Sequence, residues 1–292
     1  MILLLLRGLA AVFRSLPAGA ALAAGRLLGD LARVVLPGRR GIVASNLRAS
    51  LGDRLEAAAL SRLGRANYHH YGMVLAEFLR LPLLDDDALL DRMDVTGLDH
   101  VRAARARGRG LIVLTAHTGN WEYLAAAQAA WGLDIAVITR RAGNRQVDDF
   151  WQDLRRRRGT RFLESHGSLG EIVRHLRAGG AVGMAIDQHE GGTSGVRAPF
   201  FGRDAGTVKA PAVLAARLGC PVIMALSWRD GHGRHHADFS PELPLVEGRD
   251  LADTVARTTA SYNARLEDFV RDHPEQWTWI HRRWKPAPPP LR

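Results

Sequence analysis

The segment His117-Thr118-Gly119-Asn120-Trp121-Glu122 combines a histidine, a tight polar turn and a carboxylate. An apolar run, Leu111-Ile112-Val113-Leu114-Thr115-Ala116, leads into it, so the histidine is read as the end of a buried strand. Two residues five apart on one helix would point about 140° away from each other. For His117 and Glu122 to meet, the histidine must lie in the loop and the carboxylate in the first helical turn, with Asn120 as the N-cap. A histidine oriented by a carboxylate is a general way to build a base that works near neutral pH. Two further strand ends carry polar groups, at Thr139-Arg140-Arg141 and at Asp187-Gln188. In an open α/β sheet, sites form beyond the carboxyl ends of the strands, so a base, a cation and an acid-amide pair are expected on one edge.

These residues need a sheet to gather them. Strands are read at 110–115, 134–139, 181–186, 221–228 and 235–239, and helices at 52–80, 85–92, 97–107, 121–130, 148–158, 167–177, 208–218 and 251–272. Residues 190–206 read as a long glycine-rich loop. Near-continuous apolar strands alternating with helices predict an α/β fold, a central mostly parallel sheet flanked by helices. The organisation expected is residues 1–41 as amphipathic membrane-associating helices, 42–285 as a single α/β domain and 286–292 as a proline-rich tail.

Apolar content of 47% and charged content of 24% across 292 residues are ordinary for a globular chain. The net charge of +10 is not, and it is clustered. Arg7, Arg14, Arg26, Arg33, Arg39 and Arg40 stand against Asp30 in the first 41 residues; Arg155 to Arg158 with Arg161, and Arg282, Arg283, Lys285 and Arg292, form two more groups. Such clusters suit anionic lipid, an acidic protein or nucleic acid. No nucleic-acid-binding motif accompanies them, and nucleic acid is not expected as a partner. The 155–158 run is equally explained as a solvated helix face. Cys220 is the only cysteine, which excludes an intrachain disulfide and fits a small buried residue. The longest charge-free run near the start, 15–25, contains Pro17 and is far shorter than the ~20 residues that span a bilayer; no cleaved signal peptide is expected either. The seven-residue spacing of Arg7 and Arg14, and of Arg26 and Arg33, predicts helices lying in a membrane interface with arginines toward anionic head groups. His232, His235 and His236 lie in a glycine-turn hairpin read as having no carboxylate support, so a metal site is not read there.

The His-x4-Glu segment resembles the motif of glycerolipid acyltransferases. Its Gly-Asn-Trp-Glu form is similar to that of the lipid A biosynthesis (lauroyl/myristoyl) acyltransferase family, within the lysophospholipid acyltransferase superfamily. Further resemblance lies in Asn46-Leu47 and Ser50-Leu51, Glu77-Phe78-Leu79-Arg80, Thr139-Arg140 with Asn144 and Asp148, Asp187-Gln188, Pro199-Phe200-Phe201-Gly202, and the block from Pro274 to Lys285. It covers roughly residues 1–285. Arg141-Ala142 departs from the proline that often follows the family's arginine, and Arg140 is taken as the match. The resemblance implies transfer of a fatty acyl group from an acyl-carrier-protein thioester to a hydroxyl of a membrane glycolipid such as a lipid A precursor. His117 and Glu122 would form the general-base dyad, and Arg140, Asn120, Asp187 and Gln188 would bind substrate or oxyanion. No cofactor or metal is implied, and the place of work would be the cytoplasmic face of the inner membrane, held peripherally or monotopically. Alternatives are acyl-CoA-dependent acylation of a phosphatidylinositol mannoside, or a non-catalytic lipid-binding membrane protein. Phe200-Phe201 can line an acyl groove or pack the core; Trp277, Trp279 and Trp284 can face the membrane or lie under the sheet.

Overall fold

Proline and glycine punctuate the helical first third of the chain. A computed structural model describes residues 2–141, 143–165 and 167–285, so the expected proline-rich tail at 286–292 lies outside the described residues. Helix α1 (Ile2–Ser15) stops before Pro17, which precedes α2 (Ala18–Val35), and Pro37 opens α3 (Pro37–Leu51) as its first residue. The expected helix 52–80 starts late: residues 52–56 form the exit from α3, and α4 runs Ala57–Arg80. Helix α3 passes through positions 41 and 42 without a break. Helix α2 lies very close to α4, because Gly25 and Gly29 meet Gly72 and Tyr68. A Cβ on Gly25 would come 2.6 Å from the Gly72 carbonyl oxygen, and one on Gly29 2.2 Å from that of Tyr68.

After α5 (Asp86–Leu90), capped by the Asp85 side chain, come β1 (Met93–Thr96), α6 (Leu98–Arg105), β2 (Leu111–Thr115), α7 (Trp121–Ala130), β3 (Ile135–Thr139), α8 (Arg145–Arg156), β4 (Phe162–Glu164), α9 (Leu169–Arg177) and β5 (Ala181–Ala185). A hairpin of β6 (Gly195–Phe200) and β7 (Arg203–Val208) is followed by α10 (Ala210–Leu218), β8 (Val222–Arg229), β9 (His235–Phe239) and α11 (Leu251–Asp272). The main sheet has the order β1-β9-β8-β2-β5-β3-β4, parallel except where β8 meets β9. The α/β class and the mostly parallel sheet are as the sequence predicts. The short strands β1 and β4 are additions at its two edges.

The glycine-rich stretch is a loop only as far as residue 194; from there it is the β6–β7 hairpin. Its strands pair antiparallel from Gly195↔Val208 to Phe200↔Arg203, and the chain turns through Phe201 and Gly202, both at positive φ (52° and 66°). That is the backbone of a tight hairpin turn, here with a phenylalanine where asparagine or aspartate would have announced it.

Central strands bury both faces, which is why they read as unbroken apolar runs. Ile112, Leu114, Val182 and Met224 join one core with α10, α11 and the C-terminal segment; Leu111, Val113, Ala181 and Ile223 join the other with α6 and α7. The C-terminal tryptophans belong to the first core. Trp277 and Trp279 are fully buried, with ring centroids 4.6 Å apart, and Phe200 packs against Trp277 at 5.3 Å. Both open questions about these aromatics resolve as packing. Asn46 of α3 and Asn67 of α4 hold this segment by side-chain N–H bonds of 2.8 Å to the carbonyls of residues 279, 281, 275 and 277.

Among the described residues no helix is long and apolar enough to cross a membrane. Helices α1 and α2 do expose large apolar side chains, among them Leu4 at 71% and Leu27 at 70%. Arg14 donates through Nε to the Leu79 carbonyl at 2.7 Å, and Arg26, itself exposed, reaches the Met73 sulfur through Nε. Cys220 is buried, as expected.

Candidate active site

Strand register places His117. Strands β2 and β5 are parallel neighbours, paired Leu111↔Ala181 through Thr115↔Ala185. Two residues beyond each strand end lie His117 and Asp187, opposite one another. The Asp187 carboxylate accepts from His117 twice, from Nδ1 at 2.9 Å and from the backbone N–H at 3.1 Å, and from the Trp277 indole N–H at 3.2 Å. Asp187 is 1% exposed, while the His117 side chain keeps 28% of its surface. Because a carboxylate accepts at Nδ1, the ring proton sits there and the Nε2 lone pair is left open; among the described residues Nε2 makes no hydrogen bond. The edge of the Trp121 ring packs on the imidazole, centroids 5.3 Å apart.

The electrostatics follow from these contacts. Burial by itself pushes the His117 pKa down, but the charge of Asp187 and its hydrogen bond outweigh burial, Glu122 adds to them, and the net direction is upward. Burial likewise pushes Asp187 up, and the His117 charge and hydrogen bonds reverse it, holding the carboxylate below its ordinary value.

Glu122 takes a different place from the one its spacing predicts. In the first turn of α7 it turns toward α8, where the Arg155 guanidinium grips it through two bonds of 2.8 and 2.5 Å, and the Trp121 indole adds a third at 3.1 Å. The expected hydrogen-bonded His117–Glu122 pair is therefore replaced by His117–Asp187 and Glu122–Arg155. Glu122 still acts on His117 through its charge. This also answers the question of the 155–158 run: Arg155 is an inward-facing partner of Glu122, and Arg158 pairs with Asp86 at 2.5 Å.

The turn between His117 and Glu122 is built for close contact. Gly119 has φ 51°, and a Cβ there would lie 2.2 Å from the Ser227 carbonyl oxygen of β8. Its N–H donates to the Gln276 carbonyl, its own carbonyl accepts from His70 at 2.9 Å, and the Thr278 hydroxyl holds the His117 carbonyl at 2.9 Å. Asn120 is the N-cap of α7, as predicted, accepting from the Tyr123 N–H at 3.0 Å. Its amide donates to Glu77 at 2.7 Å, so this fully buried side chain is spent on the scaffold. Arg140 lies two strands from β2, exposed and bonded to Glu190 at 2.9 Å; Arg141 pairs with Glu164. Gln188 is exposed.

Behind the turn sits a buried ionic hub that spacing gave no means of finding. Glu77 of α4 binds Arg229 of β8 through both oxygens, His235 of β9 at 3.0 Å, and Asn120. Burial pushes Glu77 up, yet His235 and Arg229 hold it down to about 2. His235 thus has a carboxylate after all, brought by the fold from a distant helix, and His236 has Asp230 of its own hairpin at 3.1 Å. The only signal available for Glu77 was its place in the Glu77-Phe78-Leu79-Arg80 segment.

An imidazole tied at Nδ1 to a buried carboxylate, with Nε2 open, can accept a proton from a hydroxyl, and it lies at the carboxyl edge of a parallel sheet. Comparison with known proteins gives this chemistry its setting. The chain is 28% identical over 267 residues to the lipid A biosynthesis palmitoleoyltransferase of Escherichia coli, covering 90% of this chain and 84% of that protein. It is 27% identical to the lipid A biosynthesis lauroyltransferase of the same organism (89% and 84% covered). It is 25% identical to the phosphatidylinositol mannoside acyltransferase of Mycobacterium tuberculosis (78% and 72%). The family described as bacterial lipid A biosynthesis acyltransferase matches residues 1–286. The chain belongs to that bacterial lipid A biosynthesis acyltransferase family and is an O-acyltransferase.

Proposed function

We propose that the protein moves a fatty acyl chain from an acyl-carrier-protein thioester to a sugar hydroxyl of a lipid A precursor, with His117 as general base and Asp187 as the carboxylate that orients it. The observation that carries this reading is the His117 Nδ1 bond to Asp187, which leaves Nε2 as an open acceptor. Nε2 takes the hydroxyl proton as the alcohol oxygen attacks the thioester carbonyl carbon. The tetrahedral intermediate collapses, the C–S bond breaks, and the same proton passes from Nε2 to the leaving thiolate. A thiol of pKa near ~8.5 leaves readily, so no covalent enzyme intermediate is needed. With Asn120 engaged and Arg140 two strands away, the donors assigned to the developing oxyanion are the backbone N–H groups of Trp121 and Glu122, which have no intrahelical acceptors, the Tyr123 N–H being capped by Asn120. Glu122, anchored by Arg155, contributes its charge to the imidazolium from a distance.

The protein would work from the cytoplasmic face of the inner membrane, lying on the apolar faces of α1 and α2. The similarity to a phosphatidylinositol mannoside acyltransferase supports a second acceptor class, a mannosylated lipid, with acyl-CoA as donor. Mass spectrometry of membrane glycolipids from cells with the wild-type protein, without it, and with His117→Ala decides among these. The expected result is loss of one acyl group from a lipid A species in the last two; a shift in a mannosylated lipid would assign the second acceptor, and an unaltered lipid profile would remove the acyl-transfer reading.

A further inference from the structure

Where α2 gives way to α3, Leu36, Arg39 and Ile42 line a cavity of about 620 Å³ together with His281, Arg282 and Lys285 of the C-terminal segment. Its lining holds three permanent cations and no acid. Among the described residues none of the three is ion-paired; Arg39 makes only a long bond, 3.5 Å, to the Ile280 carbonyl. Some exposed arginines elsewhere do find carboxylates, as Arg65 does with Asp30 and Arg234 with Asp94; here three cations share one concavity and, among the described residues, none has such a partner. Cations gathered without counter-charge repel one another and leave a positive potential in a concave place, the arrangement that favours an anion.

His281 adds a neutral donor. Its Nε2 accepts from the His189 N–H at 2.9 Å, so the ring proton is on Nδ1. Burial and the nearby cations hold its pKa down to about 4, which keeps it neutral at physiological pH. The remaining wall is apolar, Val35, Leu36 and Ile42, and Val35 and Leu36 continue onto the exposed apolar face of α2 with Leu31 and Val34. One side of the cavity therefore suits an anionic group and the other an acyl chain or bilayer surface.

The cavity is tied to the base by short links. His189, bonded to His281, lies two residues beyond Asp187. The His281 N–H donates to the Thr278 carbonyl, and the Thr278 hydroxyl holds the His117 carbonyl. We propose that this cavity binds a phosphate ester carried by the sugar headgroup of the acceptor glycolipid, and thereby brings the acceptor hydroxyl to His117. Arginine forks and a lysine suit phosphate oxygens through charge-assisted hydrogen bonds. The inference rests on the acyltransferase reading for its acceptor, and the same phosphate chemistry also occurs in the prosthetic arm of a carrier-protein donor.

The test uses the full chain with Arg39→Gln, Arg282→Gln and Lys285→Gln combined. Acceptor is an acylated glucosamine disaccharide bearing its phosphates, or the same lipid after enzymatic dephosphorylation, in neutral-detergent micelles. The variant is expected to raise KM for the phosphorylated acceptor by about 10- to 100-fold with kcat nearly unchanged. On the dephosphorylated acceptor variant and wild type should match, and the donor KM should not move. Equal losses on both acceptors, a rise in the donor KM instead, or no change would each overturn the assignment. Equilibrium dialysis of the phosphorylated disaccharide reads the cavity without turnover, so a wild type that binds it but transfers nothing would refute the acyltransferase reading alone. Should the triple variant lose its melting transition, Lys285→Gln on its own gives the same comparison.

Discussion

Replacing Asp187 by Asn keeps the side-chain volume and removes the charge on which His117 depends. Two hydrogen bonds from His117, at 2.9 and 3.1 Å, now end on a carboxylate that is 1% exposed. Hydrogen bonds to a charged partner are worth about 1.5–3 kcal/mol each, and about 1.4 kcal/mol is tenfold in rate. Losing the charge from both and, where an amide N–H turns toward Nδ1, the ring bond itself with the productive tautomer, while the amide oxygen keeps the backbone N–H, lowers kcat by roughly 10²–10⁴, the whole range attributed to general-base help. The charge of Asp187 raises the His117 pKa. Without it the imidazolium is less stable, so the acid limb of kcat/KM for the residual activity moves to lower pH. Glu122→Gln is the matched control: Arg155 loses its ionic partner and the melting temperature falls, while kcat drops by less than about tenfold because Glu122 reaches His117 only through its field. The assay is thiol release from an acyl thioester with acceptor present, over pH 5 to 9, with a thermal melt of each variant. Activity of Asp187→Asn within tenfold of wild type, or a larger catalytic loss in Glu122→Gln with its melt unchanged, would refute the assignment of Asp187 as the orienting carboxylate.

Acid should weaken the fold early. Burial pushes the pKa of His70, which donates to Gly119, from its ordinary 6.5 down to about 4, so the unfolded chain takes the proton first and stability drains away between those values. Glu77, held down to about 2 in the fold, contributes stability that is present above about 4.5 and lost as pH falls toward 2. Melting temperature is therefore expected to fall with pH from about 6.5 downward, before ordinary carboxylates titrate, and His70→Gln should flatten the upper part of that slope; a flat profile above pH 5 would contradict it. Changing Leu4, Leu5, Leu27 and Leu31 together to Ser should weaken sedimentation with anionic phospholipid vesicles by about tenfold or more, since these exposed side chains supply the area that a bilayer would cover. Unchanged sedimentation would place the membrane contact elsewhere.

Much of the scaffold was legible because its causes are local. Apolar runs bounded by glycine and polar turns marked the five central strands, and Asn120 marked the start of α7. Pro17 and Pro37 mark the breaks between the first helices. The strands that escaped reading are short edge pieces or, in the β6–β7 hairpin, a turn whose Phe201 carries no turn signature. Arginine spacing gave a helical face, while the Nε contacts of Arg14 and Arg26 with α4, a helix more than 40 residues on, lay beyond its reach.

His117 at the end of a buried strand, the capped helix after it and Asp187 at the end of another strand could all be read along the chain. Those facts depend on residues within one or two turns of each other. Which carboxylate holds the histidine was decided only by the tertiary structure, because it depends on which strands are neighbours and in what register. Strand β5 lies beside β2 with its residues aligned, so positions equally far past the two ends must face each other, and Glu122, close in sequence, is drawn away by Arg155. The gathering of Arg39, Arg282 and Lys285 around one cavity has the same origin. Their charge was visible along the chain, and their convergence required the C-terminal segment to fold back under α3.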